Sequence, residues 1–176
     1  MKISVLLPYK ENFSKNNAGA VSLFVNDLIK NGKNNKTLVF GSTDDKKFLD
    51  KKYVNLIFDK KTLTSNSKKY VKEFLNNNFS KNSDIIEIHN RPSYIKLISD
   101  YTDSKLLLYF HNDPLSMNGS KTVKERNYLL EKVDHFIFNS NWSLKRFLIN
   151  MGDLSIYKKK LSVVYQCVNK QRINFN

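Results

Sequence analysis

An α/β fold is what this sequence predicts: an open, doubly wound sheet of six or seven mostly parallel strands with helices on both faces. Three observations carry the prediction. Short apolar runs alternate with stretches of helical period, the mark of βαβ units. The runs are almost continuously apolar, as in Leu106-Leu107-Leu108-Tyr109-Phe110, which suits strands covered on both sides. Right-handed crossovers between parallel strands then distribute the helices over both faces of one sheet.

The first strand is read at residues 2–8. Val21, Phe24, Val25, Leu28 and Ile29 then fall on one helical face, and Gly32 stands where a C-terminal cap belongs. Strands at 36–41 and 53–58 follow, and Tyr70, Val71, Phe74 and Leu75 mark a second helical face. Asp84 opens a strand at 84–89, and Tyr94, Ile95, Ile98 and Tyr101 repeat the helical pattern before a strand at 105–111. Strands at 135–139 and 161–165 enclose a last stripe of Leu144, Phe147, Leu148 and Met151, with Ser140 at its start. These stripes read as packing faces and not as ligand boxes.

A chain of 176 residues fits one domain, read as residues 1–168, with 169–176 beginning a linker. Hydrophobic residues make up 40% and aromatics 12%, enough apolar material to order the backbone and to exclude a disordered chain. Cys167 is the single cysteine, no apolar run reaches the ~18 residues of a spanning helix, and the start from Met1 to Pro8 lacks a signal-peptide pattern. A reduced, cytoplasmic setting is therefore expected. Thirty Lys and Arg against sixteen Asp and Glu give a net charge of +14, which favours an anionic contact without naming it. The run from Lys30 to Lys36 reads as a solvated turn.

In a doubly wound sheet ligands bind beyond the carboxyl ends of the strands, so the polar residues there are the candidates. After the first strand, Ala18, Gly19 and Ala20 lead into a helix whose N-terminus favours an anion such as a diphosphate. Packing of helix on sheet is the plainer role for Gly19. The three-glycine dinucleotide pattern is missing and Phe40-Gly41-Ser42 stands where an acidic residue would end the second strand, which disfavours NAD. The fourth strand ends Glu87-Ile88-His89-Asn90-Arg91-Pro92, where Arg91 suits an anion and His89 and Asn90 suit hydroxyls. Glu87 reads as the partner of a buried cation such as Arg91. The fifth strand ends His111-Asn112-Asp113-Pro114, an equivalent cluster. His89, His111 and Asp113 lack a dedicated metal-ligand spacing, so no metal is expected. His135 reads as a plain strand-start residue, and Ser140 or Asn141 as a helix cap.

Read in order, these phrases resemble the N-terminal, acceptor-side domain of family-4 retaining glycosyltransferases of the GT-B fold. The likeness is to a bacterial branch associated with lipopolysaccharide core and other cell-surface glycans. It rests on Pro8 to Ser14 with Ala18-Gly19-Ala20-Val21-Ser22-Leu23, then Ile86 to Pro92, then His111-Asn112-Asp113-Pro114 with Met117 and Gly119. Glu125-Arg126 with Leu129-Leu130, and Asn139-Ser140-Asn141-Trp142, complete it.

The resemblance implies a Rossmann-like domain in which Ala18, Gly19 and Ala20 border the donor diphosphate and His111 sits near the transferred sugar or the incoming hydroxyl. His89, Asn90, Arg91, Asn112 and Asp113 would line the acceptor side. Glu125 and Arg126 would support the His111 loop or form an ordinary helical salt bridge. It implies a nucleotide-sugar donor, a glycan or lipid-linked acceptor, no cofactor and no metal. The positive charge would add peripheral contact with the anionic inner face of the membrane. Family members carry a second, donor-binding domain, and nothing after Asn169 matches it. That domain is therefore an expected partner in cis or in trans, and the isolated chain is expected to be inactive. Two other classes remain: a basic nucleic-acid-binding module, for which no reading motif is present, and a non-catalytic acceptor or scaffold subunit.

Overall fold

The computed structural model describes residues 1–34, 36–59 and 64–166, so Cys167 and the boundary expected at 169–176 lie outside the described residues. Its strands are β1 (Ile3–Leu6), β2 (Thr37–Gly41), β3 (Tyr53–Asn55), β4 (Ile85–His89), β5 (Lys105–Phe110), β6 (His135–Phe138) and β7 (Leu161–Val163). They form one seven-stranded sheet in the order β3-β2-β1-β4-β5-β6-β7. Every pairing is parallel, as the buried apolar runs predict.

The helices are α1 (Ala20–Asn31), α2 (Asn66–Asn76), α3 (Asn78–Lys81), α4 (Ile95–Ile98), α5 (Val123–Lys132) and α6 (Asn141–Leu148). The sequence does not mark α3. It exists because the Asn77 side chain accepts the Phe79 N–H and restarts the helix as α2 ends. The long stripe read from Tyr94 to Tyr101 is shorter in fact, a 3₁₀ turn at Pro92–Tyr94 followed by the single turn of α4. Gly32 does cap α1, in extended backbone with its N–H on Leu28 O.

Both faces carry helices, but unevenly. Alternate residues of the strands point to opposite sides. Leu6, Phe40, Ile88, Leu108, Phe110 and Phe138 meet the buried residues of α2, α4, α5 and α6 in one large core. Val5, Leu7 and Val39 meet Val21, Val25 and Ile29 of α1 in a smaller one. Right-handed crossovers explain the asymmetry: the chain steps from β1 to β2 to β3 on one side, then reverses after β3 and passes to the other side for the later connections. On the α1 face β4, β5 and the position after β5 carry Glu87, His89, Tyr109 and His111, and Phe24 of α1 packs against the last three rings.

Arg126 lies 2% exposed within the larger core region. Its Nη1 donates to Ser120 O at 3.2 Å and Lys121 O at 2.9 Å, and Nη2 donates to Ile149 O at 2.6 Å. Backbone carbonyls, not a carboxylate, satisfy this cation. Glu125 instead completes a capping box with Thr122, so no Glu125–Arg126 salt bridge forms and that expectation is corrected. Arg126→Ala, which leaves buried carbonyls unpaired and opens a void, is expected to cost about 3 kcal/mol in urea unfolding. Glu125→Ala should cost about 1 kcal/mol, as loss of a cap does; equal effects would contradict these separate roles.

Candidate functional site

The strand order reverses between β1 and β4, and the crevice beyond their carboxyl ends is where a parallel sheet leaves room for a ligand. A cavity of about 310 Å³ lies there, lined by Glu11, Ala20, Asn90, Arg91, His111 and Gln166 among others. A second, of about 540 Å³, opens alongside between Arg91, Asn112, Ser116, Asn118 and Lys121. Asn90, Arg91 and Asn112 line both. Asn90 holds this junction in a left-handed conformation, φ 51°, while its Oδ1 accepts the His111 N–H at 2.8 Å. That bond ties the ends of β4 and β5 together.

His111 is the focus of the first cavity. Its ring stacks on Tyr109 at 4.3 Å and meets the edge of Phe24 of α1 at 5.1 Å. Its Nε2 lies 2.7 Å from His89 Nδ1, and its Nδ1 meets the Gln166 amide Nε2. His89 Nε2 in turn lies 2.8 Å from Glu87 Oε1, close although poorly aligned for a hydrogen bond.

The proton positions follow from this chain. A lone pair on His89 Nε2 would repel the Glu87 carboxylate, so that nitrogen carries the hydrogen. In a neutral ring His89 Nδ1 is then the acceptor, and His111 Nε2 is its donor. His111 Nδ1 is left as an acceptor facing the cavity, which is the partner a Gln166 amide requires. Burial, then the positive charge of a protonated His89, push the His111 pKa down to about 3. The ring is thus a neutral hydrogen-bond acceptor whose one lone pair, met by the Gln166 amide, faces the crevice.

Other expected site residues find different places. His89 is fully buried and lines neither of these cavities, so its expected contact with an acceptor is corrected. Glu87 pairs with His89 and not with Arg91, whose Nη1 donates to Asn90 O at 2.9 Å. The two side chains leave the strand end in different directions, which sequence spacing alone does not reveal. Asp113 accepts from Arg146 Nε and Nη2 at 3.2 and 3.0 Å and caps the turn at Leu115, so it braces the loop and lines neither cavity. The Arg146 hydrogen bonds hold its carboxyl below the usual range. Ser140 caps α6 through the Ser143 N–H. His135 is bonded to Ser162 at 2.8 Å. Among the described residues no group of His, Cys, Asp and Glu is placed to hold a metal.

At the N-terminus of α1, Ala20 reaches the cavity, while Ala18 and Gly19 lie half-buried behind it. The place next to Gly19 is taken by a carboxylate: Glu11 Oε1 accepts the Ser22 N–H at 3.1 Å and packs where a Gly19 side chain would stand. Glycine leaves the room that the carboxylate takes in this arrangement. Sequence reasoning missed Glu11, Gln166 and Lys121 as lining residues. Gln166 was findable, since it follows the last strand as His111 follows the fifth; Glu11 and Lys121 sit in loops whose folding no local pattern signals.

No known protein family matches the chain, and no curated protein matches it. Solved structures do. Alr3699/HepE of Anabaena in complex with UDP-glucose matches with a TM-score of 0.64 and 16% identity over 94% of this chain and 44% of that one. The same protein in complex with UDP and glucose matches with a TM-score of 0.62 at 16% identity. The likeness establishes the fold, a Rossmann-like α/β domain of the kind that forms half of a GT-B protein. This chain spans 44% of the length of the structures it resembles.

The proton assignment is directly measurable. Imidazole ¹⁵N spectra near pH 7 are expected to show Nε2 protonated and Nδ1 bare in His111. The His111 ring should stay neutral down to about pH 4. The unfolded ring protonates near 6.5 but the folded one only at about 3. The stability due to this neutral burial is therefore complete above about 6.5 and is lost as pH falls toward 3. A His111 ring titrating near 6.5 in the folded protein would contradict the geometry.

Proposed function

We propose that this chain is the acceptor-side half of a glycosyltransferase that moves a sugar from a nucleotide-sugar donor to a glycan or lipid-linked acceptor. One observation carries the reading. A neutral, tautomer-locked His111 offers a lone pair at the switch-point crevice of a fold that, in the Anabaena protein, occurs with UDP-glucose bound. A nitrogen of that kind accepts a hydrogen bond from a sugar hydroxyl and cannot act as a cation toward phosphate. The Gln166 amide occupies the same lone pair, and a ligand hydroxyl would replace it.

In this reading a second, donor-binding domain grips the nucleotide, in cis or in trans. Transfer proceeds with retention of configuration, and the acceptor is lipopolysaccharide core or a related surface glycan. The resemblance of the phrases from Pro8 to Trp142 supports these finer points. Among the described residues no helix is long and apolar enough to cross a membrane. The charge of +14 supports peripheral contact with an anionic leaflet, where a lipid-linked acceptor would be met. The catalytic contribution of this half is positional and electrostatic: His111 orients a hydroxyl, and polar groups around it are fixed before charge develops.

The test is a chain joined to a donor-binding domain and assayed for transfer from a UDP-sugar. His111→Ala is expected to lower kcat by about 10²- to 10³-fold, the usual effect of losing one positioned hydrogen-bonding group. His89 loses its donor in that variant, so rates are compared well below the melting temperature of each protein, with Asn112→Ala alongside. A lower melting temperature with a near-normal rate would reduce His111 to scaffold. Residues 1–176 alone should show no transfer, and sustained turnover by them would contradict the two-domain reading.

A further inference from the structure

We infer that the cavity between Arg91 and Lys121 is a phosphate-monoester subsite, and that the acceptor carries that phosphate. The second half of this statement rests on the sugar-transfer reading above; the first stands on geometry. Two cations line the cavity and no carboxylate does, while Ser93, Ser116 and Asn118 add neutral hydrogen-bonding groups. Among the described residues, neither Arg91 nor Lys121 has a carboxylate partner. Arg146, by contrast, is committed to Asp113 and Arg126 to buried carbonyls.

The cavity walls are held in place. Arg91 is anchored by its bond to Asn90 O and by the Tyr94 hydroxyl beside it, which hold its guanidinium at the cavity wall. Gly119, at φ +94°, lets the loop carrying Lys121 close against the turn carrying Arg91: a Cβ there would stand 2.6 Å from Ser93 N. Two loops from different strands thus present their cations to one space. A loop without glycine at that point could not approach so closely.

The first cavity is unsuited to the same anion. Its helix N-terminus already holds the Glu11 carboxylate, and its histidine is neutral. An anion entering there meets the Glu11 carboxylate as well as Arg91, whereas one entering between Arg91 and Lys121 meets two cations and no carboxylate. Because Arg91 lines both cavities, a phosphate held by it leaves the rest of the same molecule within reach of His111. The division of labour is phosphate in the second cavity and hydroxyl in the first.

The experiment is an amide NMR titration of the 176-residue chain with glucose 6-phosphate, glucose and UDP at moderate salt. Glucose 6-phosphate should shift Ser93, Asn112, Asn118 and Lys121, and glucose should leave them in place. Lys121→Gln, a change at an exposed side chain, should weaken glucose 6-phosphate binding at least about fivefold, as should Arg91→Gln. Lys33→Gln, at a remote surface, should not. Unchanged affinity in Lys121→Gln, or shifts centred on Ala20 to Ser22, would overturn the subsite. UDP binding more tightly at these same residues would assign the phosphate to the donor and overturn the acceptor claim. Binding without turnover in the two-domain assay would leave the subsite standing and remove the transfer reading.

Discussion

The handedness of the crossovers governs this molecule. Parallel strands linked by right-handed connections must send the chain to one side of the sheet while it moves one way and to the other after it turns back. The single reversal between β1 and β4 therefore does two things at once. It opens a crevice that no connection fills, and it places α1 on the opposite face of the sheet from α2, α4, α5 and α6. The cavities lie in the crevice, and the Glu87, His89 and His111 chain lies on the α1 face, where Phe24 meets both histidine rings. Neither would exist with a sheet wound in one direction only.

The α1 face also holds a run of residues that reads oddly as a strand. Glu87 alternates with buried Ile86 and Ile88, which point into the large core. On its own side it meets a histidine of the same strand, which in turn meets a histidine of the next. The two histidines hydrogen-bond to each other, and the Glu87 carboxylate close to His89 Nε2 sets the polarity of the chain. The result is a histidine whose free nitrogen is defined in both position and protonation.

Charge is sorted with similar economy. The protein has a large positive excess, yet its buried arginine is neutralised by carbonyl dipoles and its strand-end aspartate by Arg146. The carboxylate nearest the glycine loop serves the helix N-terminus, as the helix dipole favours. Among the described residues, Arg91 and Lys121 beside the crevice have no carboxylate partner. This distribution separates the cavity at His111, which Glu11 and Arg91 both line, from the basic one at Arg91 and Lys121.

The sequence by itself determined the strands, their parallel order and the strand ends at which polar residues gather. Those features are local: apolar runs, helical stripes and turn residues act over a few neighbouring positions, and Leu106 to Phe110 is legible as a buried strand without knowing its partners. Direction and pairing of side chains were not legible. His89, Arg91 and Asp113 are adjacent in motif to His111, yet one is buried beneath it, one faces two cavities and one is tied to a helix over thirty residues away. The approach of Glu11 to Gly19, of Gly119 to Ser93 and of Gln166 to His111 joins segments far apart in the chain. Only the packed sheet brings such groups within bonding distance, because burial and proximity are properties of the whole fold and not of any stretch of it.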